Sequence, residues 1–265
     1  MKAFNALEWQ IAGRYLRARR RESFISVISA ISFLGIMLGV GTLIVVMAVM
    51  SGFRADLLDR ILGVNGHAEI AAYSGQFSDR QSLTDALQAI DGVVLATPMV
   101  EGQAMFSSGN TVRGVLVRGM PEDKITLMPS LANAIEAGSL QDMQAQKGVA
   151  IGARLAEQAN LSIGDKLSLI APRGAVTPFG VAPRVRQFPV VAIFRIGMSE
   201  FDTNFIFMPI AQAEKFFSTP PQAGRIDVTL TDPDMIDAKL GALQAVIGPD
   251  HYIADWRQRN QTLSG

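Results

Sequence analysis

The chain has 265 residues, equal numbers of basic and acidic side chains (24 each), an apolar fraction of 49% and no cysteine. This length admits more than one compact unit, and the balanced charge and apolar content suggest neither a disordered tail nor a nucleic-acid-binding protein. Without cysteine there are no disulfides, thiolate nucleophiles or thiolate metal ligands.

The neutral total conceals an asymmetry. Residues 1–22 hold Lys2, Arg14, Arg17, Arg19, Arg20 and Arg21 against only Glu8 and Glu22. Phe4, Leu7, Ile11 and Tyr15 recur there at helical spacing beside Trp9, which predicts a short basic amphipathic helix at a membrane surface. Between Glu22 and Arg54 no residue is charged, and the stretch is dense in Ile, Val, Leu and Met. About 20 apolar residues span a bilayer core of about 30 Å, so residues 23–53 read as a transmembrane helix. A cleaved signal peptide is the rival reading, but its apolar region is usually about 7–15 residues, and Ala48-Val49-Met50 is a poor cleavage site. By the positive-inside rule residues 1–22 stay cytoplasmic and the rest lies outside, in a bacterium the periplasm.

At about 100° per residue, Gly35, Gly39, Leu43, Val46, Met50 and Phe53 share one helical face. Gly35 and Gly39 have the small-residue spacing that lets helices approach closely in lipid. The pattern Leu57, Leu58, Ile61 and Leu62, interleaved with charges, extends the helix as a stalk over 54–63.

The remainder reads as an α+β domain. A strand is predicted over 67–72, a helix over 82–90 and a strand over 93–98. A hairpin follows, turning at Ser108, Gly109 and Asn110 between 102–107 and 111–119. Strand, helix and strand recur over 225–230, 235–247 and 251–255. The expected organisation is a split βαβ subdomain from 64–119 and 225–260, with a β-rich subdomain inserted over 120–224.

Motifs for chemistry are missing from the sequence. It contains no GxxxxGK[ST], GxSxG or HExxH, and Gly39-Val40-Gly41 lies inside the membrane span. The histidines, His67 and His251, have no ligand spacing and read as ordinary strand-end residues. No catalytic, cofactor or metal site is therefore expected, and the chain reads as a non-enzyme. One segment stands out. Residues 171–189 hold four prolines and two glycines, which argues against regular structure through their middle, between strand-like runs at 166–170 and 185–194. The prediction is a long hairpin with a proline-stiffened apolar tip and a base made positive by Lys166, Arg173, Arg184, Arg186 and Arg195. Exposed, the tip marks a partner site; the plain alternative is an irregular loop packed back on its own domain.

Several blocks resemble one family. Gly35-Ile36-x-Leu38-Gly39-Val40, Val49-Met50-x-Gly52-Phe53 and Ile61-Leu62-Gly63 are similar to the first membrane helix of the permeases of the lipoprotein-releasing (Lol) ABC transporter. Val149-Ala150-Ile151-Gly152, Leu155-Ala156 and Ile163-Gly164-Asp165 resemble the middle of that family's periplasmic domain, of the macrolide-exporter-permease type. Thr177-Pro178-Phe179-Gly180 followed by Pro183 is similar to the hook that recruits a periplasmic carrier chaperone, and Asp255-Trp256-Arg257 to the segment before the second membrane helix.

This resemblance implies one subunit of an inner-membrane ABC permease that extracts lipoproteins and passes them to the carrier. The implied hook is Pro172, Val176, Thr177, Pro178, Phe179, Gly180 and Pro183. The matching pad residue is Arg186, with Arg184 beside it; Val185 and Ser168 stand where the family has an amide and a second basic residue. Leu43, Val46, Met50 and Phe53 would face acyl chains, and Gly35 and Gly39 a packed helix. Implied partners are a second permease subunit, identical or paralogous, ATPase subunits reached through a C-terminal part that the chain lacks, the carrier, the lipoprotein and the membrane. Residues 261–265 would begin the linker to a second membrane helix. An efflux or mechanotransmission permease gripping an adaptor is the alternative of the same superfamily, and a stand-alone anchored interaction domain is a third.

Overall fold

The computed structural model describes residues 10, 11, 14, 23–177 and 180–255. The interfacial helix expected over 1–20, and Trp256 and Arg257, fall wholly or largely outside them. Two compact units result, residues 1–57 and 58–265.

Helix α1 runs unbroken over Ser23–Val64, 42 residues, or about 63 Å at 1.5 Å per residue. Its segment Val27–Phe53 is long and apolar enough to cross a membrane and is not buried. Thr42 donates its hydroxyl back to Leu38 O at 2.8 Å, which satisfies a polar side chain inside the apolar stretch.

The second unit contains two sheets that share a strand. In the first, β1 (Ala68–Ala72), β2 (Val93–Ser108), β9 (Arg225–Leu230) and β10 (His251–Asp255) stand in the order β10-β1-β9-β2, all neighbours antiparallel. Helix α2 (Arg80–Gln88) links β1 to β2, and α9 (Ile236–Ile247) links β9 to β10. Each linked pair is therefore parallel, with one strand of the other pair between. Two interleaved split βαβ units of this kind make a ferredoxin-like sheet. Asp79 caps α2 by accepting from Ser82 N at 3.0 Å, so the helix starts two residues before the sequence suggests. Ile70, Leu87, Ile226, Val228 and Leu243 form the core between this sheet and its two helices.

Strand β2 is one 16-residue element where the sequence predicts two strands. Its first half, Val93 to Met99, pairs with β9; from Val100 onward it pairs with β3 (Thr111–Met120), Ser108 meeting Thr111 across Gly109 and Asn110. Pairing thus carries the hairpin over 102–119 into the second sheet, away from the split unit with which the sequence groups it. There β3 pairs with β8 (Phe205–Pro209), β8 with β5 (Val149–Gly152), β5 with β7 (Gly180–Phe194), β7 with β6 (Lys166–Thr177), and β6 again with β2. The ring closes as a six-stranded barrel, with β4 (Ile135–Gly138) added on β7. Closure removes free sheet edges.

Alternation along the strands sets the two faces of the barrel wall. Ile206 and Met208 pack with Phe106, Val117, Ile151, Leu167, Leu169 and Phe188 in one cluster. Phe205 and Phe207 pack in another with Ile125, Met128, Leu131, Met143 and Phe201, supplied by α3 (Glu122–Leu127), α4 (Pro129–Ala132), α5 (Asp142–Gln146) and α7 (Ser199–Asn204) and their joints. Helices α6 (Ala153–Ala159) and α8 (Ile210–Phe217) add Leu155, Ala156, Ala213 and Phe216 to the first cluster. Gly119 lets α8 lie against β3, since a Cβ there would sit 2.2 Å from the Ala213 Cβ.

Candidate functional site

The hairpin of β6 and β7 leaves the barrel. Strand β6 pairs with β2 through Ser168, Leu169 and Ile170, and from Ala171 to Thr177 its only partner among the described residues is β7. Between these points Pro172, Arg173 and Gly174 stand opposite Pro183 alone, and pairing resumes at Ala175 with Ala182 and runs through Val176 with Val181 to Thr177 with Gly180. Regular structure therefore continues through most of a segment that the sequence reads as irregular. The reason is placement: two of the four prolines fall in the bulge, where no ladder N–H is required. The arrangement is a two-stranded protrusion with a stiffened root. Pro178 and Phe179, expected at its tip, lie outside the described residues; Val176, Thr177 and Gly180 are placed by their backbone.

Two clefts meet the root. One, of about 700 Å³, is lined by Met105, Leu116, Ile170, Pro172, Pro183 and Phe205, largely apolar. The other, of about 420 Å³, brings Arg186 together with Lys147, Lys215, Gln144, Gln187 and Gln212. Sequence reading missed this second group, whose members come from α5, the residue after it, β7 and α8. Gln187 supplies an amide beside Arg186 although Val185, on the other side of it, does not. Among the described residues no carboxylate pairs with Arg186, Lys147 or Lys215.

The other basic residues of the base are differently employed. Arg184 donates to Lys215 O and to Phe216 O, the latter at 3.5 Å, and so places its charge on the C-terminal carbonyls of α8. Arg195 forks between Glu136 at 2.5 Å and Glu157 at 2.5 Å, and their hydrogen bonds raise its guanidinium above its ordinary range. Arg173 sits in the bulge by its backbone. Ser168 pairs with Ser107 of β2 and Gln187 of β7, inside the barrel wall.

On α1, Leu43, Val46, Met50 and Phe53 are exposed along the helix. Ile44, off this line, is exposed too, so helical spacing alone marks the stripe. A Cβ added at Gly35 or Gly39 would meet no described atom within 4 Å, which leaves that face free for another helix. His67 Nδ1 accepts from Leu230 N at 3.0 Å, and His251 stacks on Phe77 at 5.2 Å, so both histidines serve the ferredoxin-like sheet.

Where the two sheets share β2, a buried ionic network joins them. Arg118 donates from Nε to Glu101 at 2.6 Å and from Nη2 to Asn65 at 2.7 Å, and lies 4.8 Å over the Phe205 ring. Arg225 donates twice to Glu101, at 3.0 and 3.1 Å, and from Nε to Asp227 at 2.8 Å, with Glu69 at 3.5 Å. Burial pushes the Glu101 carboxyl up, but Arg118 and Arg225 outweigh it and hold the group at about 2. Burial pushes the Arg118 guanidinium down, whereas Arg225, with Asp227 and Glu101 against it, is raised.

The chain thus combines an apolar helix of membrane-spanning length with a ferredoxin-like sheet that shares β2 with a closed barrel. Residues 29–246 match the model of the MacB-like periplasmic core domain, and the chain belongs to that family. Its relatives include the lipoprotein-releasing system transmembrane protein LolC of Neisseria meningitidis serogroup B, 32% identical over 97% of this chain and 62% of that one. LolE of Haemophilus influenzae is 27% identical over 84% of this chain and 55% of that one. The chain spans less than two thirds of the length of these relatives. The crystal structure of the periplasmic region of MacB from Actinobacillus actinomycetemcomitans shares the fold, with a TM-score of 0.50, 15% identity, and coverage of 79% of this chain and 98% of that one.

Proposed function

We propose that the chain is the N-terminal part of an ABC-transporter permease subunit that extracts lipoproteins from the inner membrane and hands them to a periplasmic carrier docked on the β6–β7 hairpin. The observation that carries this reading is the hairpin itself: past Ala171 its strands pair only with each other, and its root is stiffened at Pro172 and Pro183. A preordered protrusion loses little conformational freedom on docking, so a small apolar contact suffices. Phe179 is the natural anchor, flanked by Val176, Thr177, Pro178 and Gly180. Arg186 with Lys147 and Lys215 offers a cationic rim for an acidic surface of the carrier, which acts on approach rate and orientation.

In this reading Leu43, Val46, Met50 and Phe53 face acyl chains, Gly35 and Gly39 face a helix of a second permease subunit, and ATP is hydrolysed by separate subunits. The first 22 residues are cytoplasmic and the second unit is periplasmic. The division into a split βαβ subdomain over 64–119 with 225–260 and a β-rich subdomain inserted over 120–224 is part of the same proposal, with the hairpin over 102–119 pairing into the sheet of the insert. Depletion of the gene that encodes this chain tests the function: mature lipoproteins should accumulate in the inner membrane. Normal lipoprotein sorting with a new sensitivity to exported compounds would favour an efflux permease instead.

A further inference from the structure

Lys147, Arg186 and Lys215 are brought to one cleft by the fold, from three separate elements. Gly148 lies so close to β7 that a Cβ added there would meet Pro189 O at 2.9 Å, which sets Lys147 beside the strand that carries Arg186. The Lys215 carbonyl accepts from Arg184, two positions before Arg186, and this brings the end of α8 to the same strand. Gln144, Gln187 and Gln212 line the cleft with the three cations, and among the described residues no carboxylate lines it. Like charges gathered in this way repel one another unless an anion joins them.

The backbone of Lys147 supports a use for its side chain. Lys147 closes α5 in the left-handed conformation, at φ 50° and ψ 39°, and donates its N–H back to Gln144 and Met143. That position is usually glycine or asparagine, because a Cβ there is strained. Among the described residues three non-glycine residues have positive φ, Lys147, Asn160 and Ser218, and only the lysine lacks a short polar side chain able to bond locally. Strain retained at an exposed cleft residue points to function at that residue.

Charge and donor number say which anion fits. A carboxylate brings one charge and two oxygens, which leaves most of the cleft unused. A phosphate group brings up to two charges and three or more acceptor oxygens, to be met by a planar guanidinium fork, two ammonium groups and the amides. We infer that this cleft binds a phosphate group, free or esterified, held by Arg186, Lys147 and Lys215. The inference does not rest on carrier docking, with which an occupied cleft would compete.

The test is calorimetric titration of the full chain in phosphatidylcholine nanodiscs at pH 8 and constant ionic strength, with inorganic phosphate, glycerol 3-phosphate and acetate. Both phosphates should bind saturably, and acetate at least about tenfold more weakly. Arg186→Gln and Lys215→Gln should each weaken phosphate by about tenfold, the worth of one hydrogen bond to a charged group, whereas Lys239→Gln on α9 should leave it unchanged. Lys147→Gly should weaken phosphate while raising the melting temperature, because glycine relieves the backbone and removes the charge. Phosphatidic-acid vesicles captured by the wild type but not by Arg186→Gln, and released by inorganic phosphate, would assign the group to a lipid headgroup. Phosphate binding without such capture would assign it to the free ion or a soluble ester. Acetate binding as tightly as phosphate would make the cleft a carboxylate site and overturn the inference. So would the absence of saturable phosphate binding, or binding that Arg186→Gln and Lys147→Gly leave unmoved.

Discussion

Glu101 and Arg225 are joined by two hydrogen bonds of 3.0 and 3.1 Å across 124 positions of chain, at the point where one strand passes from one sheet into the other. The pair ties the ferredoxin-like sheet to the barrel. Its stabilisation depends on pH with a definite sign. The Glu101 carboxyl is depressed from 4.5 to about 2, so its contribution is present above pH 4.5 and is lost as pH falls through about 2. The shift corresponds to about 3 kcal/mol. Denaturant unfolding should show Glu101→Gln destabilised by about that much at pH 7, with the gap to wild type closing between pH 4.5 and 2. A gap that stays constant with pH would show that packing, not charge, joins the sheets.

Arg184 and Arg186 stand two positions apart on β7 and should separate cleanly. Arg184→Ala removes a charge from the C-terminal carbonyls of α8 and should lower stability by about 1 kcal/mol. Arg186→Ala should leave the melting temperature in place and weaken carrier binding, more at low salt than at high. The opposite pattern would assign the docking role to Arg184.

The proposed topology rests on the arginines before the candidate span. Reporter fusions after Ala72 should give alkaline phosphatase activity and no cytoplasmic fluorescence; the reverse pattern would invert the orientation.

The stripe on α1 is tested by position. Photo-crosslinkers at Val46 and Met50 should capture lipoprotein in the assembled transporter, and one at Ile44 should not. Equal yields at all three would mean general lipid contact, because all three are equally open in the isolated helix.

Much of this molecule was legible from local pattern. The charge-free run after Glu22 marks α1, and the alternation of strand and helix at both ends of the domain marks the ferredoxin-like sheet, because each element carries its own periodicity. The hairpin was visible from its prolines, though not its pairing: a proline argues against a strand only where a ladder N–H is needed, and the register that puts Pro172 and Pro183 in a bulge is a tertiary fact. Barrel closure was not legible, since it rests on Met105 meeting Ile170 from a distant part of the chain. Nor were the cleft residues Lys147 and Lys215, or the partners of Arg184 and Arg225, because a charged residue in sequence reads as solvated until its neighbours are known.

The proposed docking role of the hairpin is most directly tested by measuring binding of a purified periplasmic lipoprotein carrier to the chain in nanodiscs, wild type against Phe179→Asp, with the melting temperature of each. Truncation or charging of an aromatic anchor commonly costs about 2 kcal/mol or more, so Phe179→Asp should reduce carrier affinity at least about thirtyfold at an unchanged melting temperature. Carrier affinity equal to wild type in a folded Phe179→Asp chain would contradict the account.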